Sequence, residues 1–327
     1  MAVIANDEAR ERLLQSLHHA LGDVVLGAIR DPHVVEIMVN PDGKIWTDRA
    51  GEGRSWTGEL MSANSAERIL RTLATHAGII VTAEQPRVNA TLPQTGERFQ
   101  GALPPLVSAP TFAIRKRPEM IFALSGAPSG YVETGVMTTD QADTIRQAVA
   151  DRKNIVVAGG AGSGKTTLLN AILAEEAFRS DRVVIIEDTR ELQCSAEDCV
   201  QLLTKPAPKP VTMADLVFDV LRLRPDRIIG GEVRDGATAL NLLKAWNTGH
   251  PGGVTSIHAN SAHEALSRFE ELIGEVTQQI PHRAIRQAIN VVVFVERTQT
   301  GREVREIVEI DNAPPAPQTR RNEWSGT

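Results

Sequence analysis

The sequence predicts an α/β protein in two parts. A mixed α+β domain spans residues 1–124, a linker spans 125–137, and a domain with a mainly parallel sheet spans 138–311. Three observations carry this reading. From Thr138 onward, helical and strand patterns alternate regularly, which is the signature of a parallel sheet. Before that point strands and helices mix without alternation. Between the two, Ser125-Gly126-Ala127-Pro128-Ser129-Gly130 interrupts all periodicity, as a boundary segment does.

Residues Glu8 to Arg30 place Leu13, Leu17, Ala20, Leu21, Val24 and Ala28 on one helical stripe, with Gly22 and Gly27 as weak points. Val34–Val39 reads as a strand, Asn40-Pro41-Asp42-Gly43 as a turn and Lys44–Trp46 as the returning strand. A helix over Ser65–His76 follows, with Asn64 as its cap, Glu67 three residues on and Gly78 placed to stop it. Strands at Arg87–Thr91, Arg98–Ala102 and Thr111–Arg115 complete a unit large enough to own a core.

In the second part, Thr138 or Thr139 caps a helix carrying Ala142, Ile145 and Val149. Asn154–Ala158 is a short apolar run that reads as a buried strand, and the run from Thr167 to Ala174 has helical spacing. Strands then fall at Val183–Ile186, Arg227–Gly230, Val254–Ile257 and Val291–Val295, with Val304–Ile310 paired to the last around Gln299-Thr300-Gly301. Helices fall at Met213–Leu223, Ala237–Trp246, His263–Leu272 and His282–Ile289. Residues 312–327, with Pro314, Pro315 and Pro317 and little apolar content, read as a disordered tail.

A length of 327 residues suits two cores. Lys and Arg number 35 against 41 Asp and Glu, a net charge of −6 that argues against a surface dedicated to nucleic acid. Aromatic residues make up 4%, too few for a base-stacking platform, so sequence-specific nucleic-acid binding is not expected. Cys194 and Cys199 lack metal-ligand company and read as reduced thiols. No apolar run approaches the ~18 residues of a membrane span, so a cytoplasmic location with at most peripheral contact to a membrane is expected.

The segment Gly159-Gly160-Ala161-Gly162-Ser163-Gly164-Lys165-Thr166 fits G-x-x-x-x-G-K-[ST] and lies between a strand and a helix. Its glycines let the backbone amides curl inward around phosphate oxygens. Lys165 then meets the β- and γ-phosphates, Thr166 ligates Mg²⁺, and Thr167 opens the helix whose N-terminus points at the anion. Hydrolysis needs carboxylates beside such a loop, and two candidates end apolar strands: Glu187-Asp188, and Glu232. Arg222, Arg224 and Arg227 precede Glu232 and Arg234 follows it; a solvated basic face at a helix end is the alternative for the first three. His250 and His258 bracket the strand Val254–Ile257, and sensing the γ-phosphate, binding a neighbouring subunit and a purely structural role are all open for them. They lack partners at zinc-ligand spacing.

Four blocks in this order resemble the bacterial secretion ATPase superfamily, which powers type IV secretion, type II secretion and type IV pili. They are the Walker A loop Gly159–Thr166, an Asp box at Ile186–Leu192, a Walker B region at Leu221–Arg234 with glutamate in place of aspartate, and a His box at Thr248–Asn260. The Walker B run and His250-Pro251-Gly252-Gly253 resemble the type IV secretion branch. Glu36–Gly43, Glu97–Gly101 and Ala109–Lys116 are similar to the conjugal-transfer ATPases of the TrbB type. The resemblance covers residues 30–310.

The resemblance implies a RecA-like ATPase domain, a homohexameric ring, ATP and Mg²⁺ as ligands, and type IV secretion channel and coupling proteins at the inner membrane as partners. It implies Glu187 as the base that orients water and Glu232 as support for Mg²⁺ through water, with an exchange of these two roles left open. Arg98 and Arg115 match first-domain arginines that reach the nucleotide when that domain closes, and ordinary strand surface charge is the alternative. His250 and His258 carry over as sensors at the subunit interface. Lys205-Pro206-Ala207-Pro208-Lys209-Pro210 departs from regular helix, as a surface loop that touches the transporter or as an insertion. Competing functions are a pilus or type II secretion motor, a nucleotide-gated scaffold ring with little hydrolysis, and a RecA-like helicase.

Overall fold

A computed structural model describes residues 2–49, 52–117, 120–205, 209–299 and 301–310. Its first part holds α1 (Ala2–Arg30), β1 (Val34–Val39), β2 (Lys44–Arg49), β3 (Gly53–Leu60), α2 (Ala63–Ala77), β4 (Arg87–Thr91), β5 (Arg98–Ala102) and β6 (Thr111–Arg115). The strands form one antiparallel sheet in the order β3-β2-β1-β6-β5-β4. Leu17, Leu21 and Val25 of α1 and Ile69, Leu70 and Leu73 of α2 pack on Ile37, Val39, Phe99, Phe112 and Ile114 of the sheet. Gly22 breaks α1 as its helix propensity suggests, with φ 72° and ψ 168°.

Two local expectations are corrected. The cap of α2 is Ser62, whose hydroxyl accepts from Ser65 N, and not Asn64. The strand β3 was not foreseen. Its sequence, Gly-Arg-Ser-Trp-Thr-Gly-Glu-Leu, carries no apolar alternation, because an edge strand exposed on both faces needs none.

The second part holds α3 (Thr139–Ala150), β7 (Ile155–Ala158), α4 (Lys165–Leu173), β8 (Arg182–Glu187), β9 (Asp198–Leu203), α5 (Met213–Val220), β10 (Arg227–Gly230), α6 (Gly236–Asn247), β11 (Val254–Ile257), α7 (Ala262–Gly274), α8 (His282–Ala288), β12 (Val291–Arg297) and β13 (Arg302–Glu309). The sheet order is β13-β12-β7-β11-β10-β8-β9. It is parallel from β12 to β9, with β13 antiparallel at one edge. The class is therefore α/β as expected, a mixed unit followed by a mainly parallel sheet.

Strands β7, β10 and β11 are buried at every position, because helices cover both faces of the sheet. Val156 and Ala158 face a core built with Leu216, Leu242, Phe269 and Ile285 of α5 to α8. Ile155 and Val157 face the opposite core, with Ile145 of α3 and Leu169 of α4. Thr138 and Gln141 form a reciprocal capping box at the start of α3, a feature worth about 1 kcal/mol. Within the segment expected as a linker, Tyr131 and Met137 are buried in this second core.

Helix α5 stops at Val220 and not at Leu223, ahead of Pro225, which disfavours helix in the residue before it. Strand β9 was not foreseen. Residues 206–208 of the Pro/Lys segment, Thr300 of the last hairpin turn and the tail 312–327 lie outside the described residues. Lys205 and Val211 pair as an antiparallel bridge, which closes the ends of that segment on each other.

Candidate nucleotide site

Parallel strands end on one edge of a sheet, and ligands of such folds bind there. The ends of β7, β8, β10 and β11 bring the glycine loop, Glu187, Glu232 and His258 to that edge. Gly162 (φ 68°) and Gly164 (φ 99°) take the left-handed angles that curl the loop, and Gly164 caps α4 without a side chain. Ala161 is exposed, Thr166 and Thr167 are half-buried, and the buried Ser163 hydroxyl has no hydrogen-bond partner among the described residues.

Lys165 opens α4 and turns back over the loop. Its ammonium donates to the carbonyls of Gly159 and Gly160 (3.1 Å each), and lies 3.5 Å from Glu232 Oε1 and 3.3 Å from His258 Nδ1. Burial pushes its pKa down. Glu232 opposes that, but Arg234 and Arg115 push further in the same direction. Curled amides, a hydroxyl without a partner among the described residues and a buried lysine at the start of a helix are features that suit phosphate oxygens.

The two carboxylates have opposite environments. Glu187 is 3% exposed. Its Oε1 accepts from the amides of Glu191 and Leu192 (2.8 Å each), while Oε2 has no partner among the described residues. Burial raises its pKa to about 7 against the lowering effect of those two amides. Gly231 backs against it, since a side-chain carbon there would meet Glu187 Cγ at 3.3 Å. Burial also acts on Glu232, but Arg234, Lys165 and His258 outweigh it and hold that carboxylate below its ordinary range.

Glu232 Oε2 lies 2.6 Å from the Arg234 guanidinium, and Oε1 lies 3.2 Å from His258 Nε2. Arg234 also reaches Asp188 (2.9 Å), whose other oxygen accepts from the Thr204 hydroxyl (3.0 Å). His258 is half-exposed, and burial with Lys165 nearby holds its pKa below 6.5.

His250 is not brought to this site. It precedes β11, with Nδ1 3.3 Å from Ala245 O, whereas the loop and His258 follow the opposite ends of β7 and β11. The four-residue strand alone separates the two histidines by about 10 Å. Arg227 is likewise at the far edge. It is buried against Asp181 (2.6 Å), donates to Val149 O and Ala177 O, and stacks over Phe178. Of the arginines flanking Glu232, Arg227 is therefore structural and Arg234 lies at the site.

Arg98 and Arg115 are directly paired across β5 and β6, with Glu36 opposite Arg115 on its other side. Neither arginine makes an ion pair among the described residues. Two cations opposed on one sheet face are unfavourable without an anion between them. Arg115 is near enough to act on Lys165, and Arg117 acts on Glu187. Arg117 was not foreseen; it lies two residues beyond the end of β6 at Arg115. It lines a cleft of about 740 Å³ with Arg190, Glu191, Gln193, Cys194 and Cys199, and its Nε is buried without a partner among the described residues. Asn170 was also missed; a single amide inside the apolar run Leu168–Leu173 was the available signal.

Comparison with known proteins agrees with these features. The family model described as type II/IV secretion system protein matches residues 56–311. A probable conjugal transfer protein TrbB of Sinorhizobium fredii is 48% identical over 92% of this chain and 90% of its own length. A conjugal transfer protein TrbB of Rhizobium radiobacter is 48% identical over 92% and 91%. In fold, the chain is similar to the pilus retraction motor PilT with bound ADP (TM-score 0.62, 17% identity, 88% of this chain and 83% of that one). It is similar in the same way to the Legionella pneumophila ATPase DotB (TM-score 0.59, 21% identity, 88% and 79%). The chain belongs to the type II/IV secretion system protein family.

Proposed function

We propose that this chain is a Mg²⁺-dependent ATPase that powers conjugative type IV secretion. The observation that carries the reading is the pairing of a curled glycine loop and its buried lysine with a buried carboxylate of the right basicity. Glu187 has one oxygen fixed by two amides and the other without a partner, and a pKa of about 7 is well matched to a general base at neutral pH. Glu187 is thus the residue that orients and deprotonates the attacking water. Glu232, held ionised by Arg234 and Lys165, suits the Mg²⁺ side and acts with the Thr166 hydroxyl.

Mg²⁺, when bound, neutralises charge on the β- and γ-phosphate oxygens. Lys165 exchanges the Gly159 and Gly160 carbonyls for phosphate oxygens, whose charge offsets the cost of burying its ammonium. Arg115, paired with Arg98 on the first sheet, supplies a cation to the γ-phosphate as an arginine finger does. In this reading residues 1–124 and 138–311 are the two jaws of a clamp. Loss of the γ-phosphate releases the jaws, so that a rotation between them does mechanical work.

The conjugal transfer proteins similar to this chain over nine-tenths of its length support a place in plasmid transfer. We place it as a homohexamer in the cytoplasm, with peripheral contact to the inner membrane through channel and coupling proteins. Among the described residues no helix is long and apolar enough to cross a membrane.

The test pairs phosphate release by purified protein with plasmid transfer in a strain that lacks the gene. The native chain should release phosphate from Mg-ATP and restore transfer, and Lys165→Ala should abolish both. Restored transfer by a Lys165→Ala protein would reduce the chain to a scaffold.

A further inference from the structure

We propose that Asn170 is a positioning residue for Glu187, fixing the backbone of Glu191–Gln193 so that its amides hold one carboxylate oxygen and leave the other turned to the reaction. The proposal rests on the reading of Glu187 as the base. Asn170 lies in α4, five residues after Lys165, and is fully buried among leucines and isoleucine. A buried amide is costly unless both its ends are bonded. Here both ends go to the same short stretch of chain: Nδ2 donates to Glu191 O (3.1 Å), and Oδ1 accepts from Gln193 N (2.9 Å).

Glu191 N and, between the two bonded residues, Leu192 N are the donors to Glu187 Oε1. A continuous path of hydrogen bonds therefore runs from the helix of the phosphate loop, through one segment of backbone, to the base. That segment has no helix or strand of its own, so side chains set its shape. Gln201 of β9 adds a bond to Leu192 O (2.7 Å) from the other side. An apolar residue at 170 would fill the same space between its neighbours. What the amide adds is the placement of two N–H groups, the kind of preorganisation that decides how a base meets water. Because α4 begins at the phosphate loop, movement of Lys165 and Thr166 would also be passed to Glu187 through this link.

The experiment compares the native chain, Asn170→Ala, Asn170→Asp and Gln201→Ala by three measurements: peptide hydrogen exchange over residues 189–193, nucleotide affinity, and the pH dependence of kcat. Asn170→Ala should speed exchange in that peptide at least tenfold and leave nucleotide affinity within about twofold. It should lower kcat by about ten- to a hundredfold. The acid limb of kcat should move upward by about one pH unit, because the carboxylate loses donors that favour its charged form. Asn170→Asp is nearly isosteric, keeps the acceptor for Gln193 and loses the donor to Glu191; it should shift the limb in the same direction with a smaller change in exchange, and it carries the test if the alanine variant does not fold. Gln201→Ala should show the weakest effect.

An unmoved limb, a limb displaced down toward the ordinary carboxylate range, or a loss of affinity as large as the loss of kcat would overturn the proposal. The first would mean no link to Glu187, the second that Asn170 only keeps the segment closed, and the third a general defect of the loop. Unchanged exchange over 189–193 in both Asn170 variants would also overturn it. Full turnover by Glu187→Gln would instead overturn the role of Glu187, whatever the exchange data show.

Discussion

Replacing Glu187 by glutamine should abolish turnover and, at alkaline pH, make the protein more stable. The folded chain holds this carboxyl at a pKa of about 7 against 4.5 for the ordinary group, so the folded state binds an extra proton between those values. A group raised in this way contributes most at low pH, and its contribution is lost as pH climbs through about 7. At about 1.4 kcal/mol per pH unit, keeping the charged form buried at pH 8 costs the native protein about 3 kcal/mol. Glutamine removes that cost. Its carbonyl still accepts from Glu191 and Leu192, but its NH₂ group falls where Oε2 has no partner, a loss of about 1 kcal/mol. The net gain is about 2 kcal/mol at pH 8, a rise in melting temperature of about 4–8 °C for a domain of this size. At pH 5, where Glu187 is already neutral, the variant should be level or slightly less stable. Melting curves at both pH values and one fixed protein concentration, read beside phosphate release, make the assay. Equal shifts at pH 5 and pH 8, or a loss at pH 8, would refute the assignment of Glu187 as a buried, proton-holding base.

Arg227→Met should destabilise by about 2–3 kcal/mol in urea unfolding, because the buried Asp181 loses one of its two arginine partners and keeps only Arg152. Its Michaelis constant for ATP, measured on the folded fraction, should change little. Arg115→Ala should lower kcat by about tenfold or more with a smaller change in nucleotide affinity, since it acts on charge that develops at the γ-phosphate; steady-state kinetics separates the two effects. His250→Ala should leave nucleotide affinity of the chain within about twofold, given its place at the far edge of the sheet; fluorescent-nucleotide titration checks this.

Much of the fold was legible because buried parallel strands leave a plain mark. Ile155–Ala158 and Val183–Ile186 are apolar throughout, as two covered faces require. The strands that escaped notice, Gly53–Leu60 and Asp198–Leu203, are at sheet edges, where exposure removes the pattern. The phosphate loop could be read from eight residues because its function is carried by local backbone shape. The rest of the site is assembled across long sequence distances: Glu187 and Glu232 were legible as carboxylates ending strands, while their separate roles and the part of Arg98 and Arg115 came only from a resemblance. Arg117 and Asn170 show the limit: one is a cation just past the end of a strand, the other an amide in an apolar helix. What marks them is a spatial partner, Glu187 for the first and Glu191 with Gln193 for the second. Arg227 shows the reverse. Its sequence context groups it with Arg234, yet strand direction puts the two at opposite ends of β10.

A structure of the full chain with Mg²⁺ and a non-hydrolysable ATP analogue tests the central claim most directly. The account predicts Lys165 Nζ within about 3 Å of a γ-phosphate oxygen and no longer on the Gly159 and Gly160 carbonyls, with a water on Glu187 Oε2 in line with the γ-phosphorus. A nucleotide bound away from Gly159–Thr166, or one bound there with Glu187 Oε2 turned from the phosphate, would contradict it.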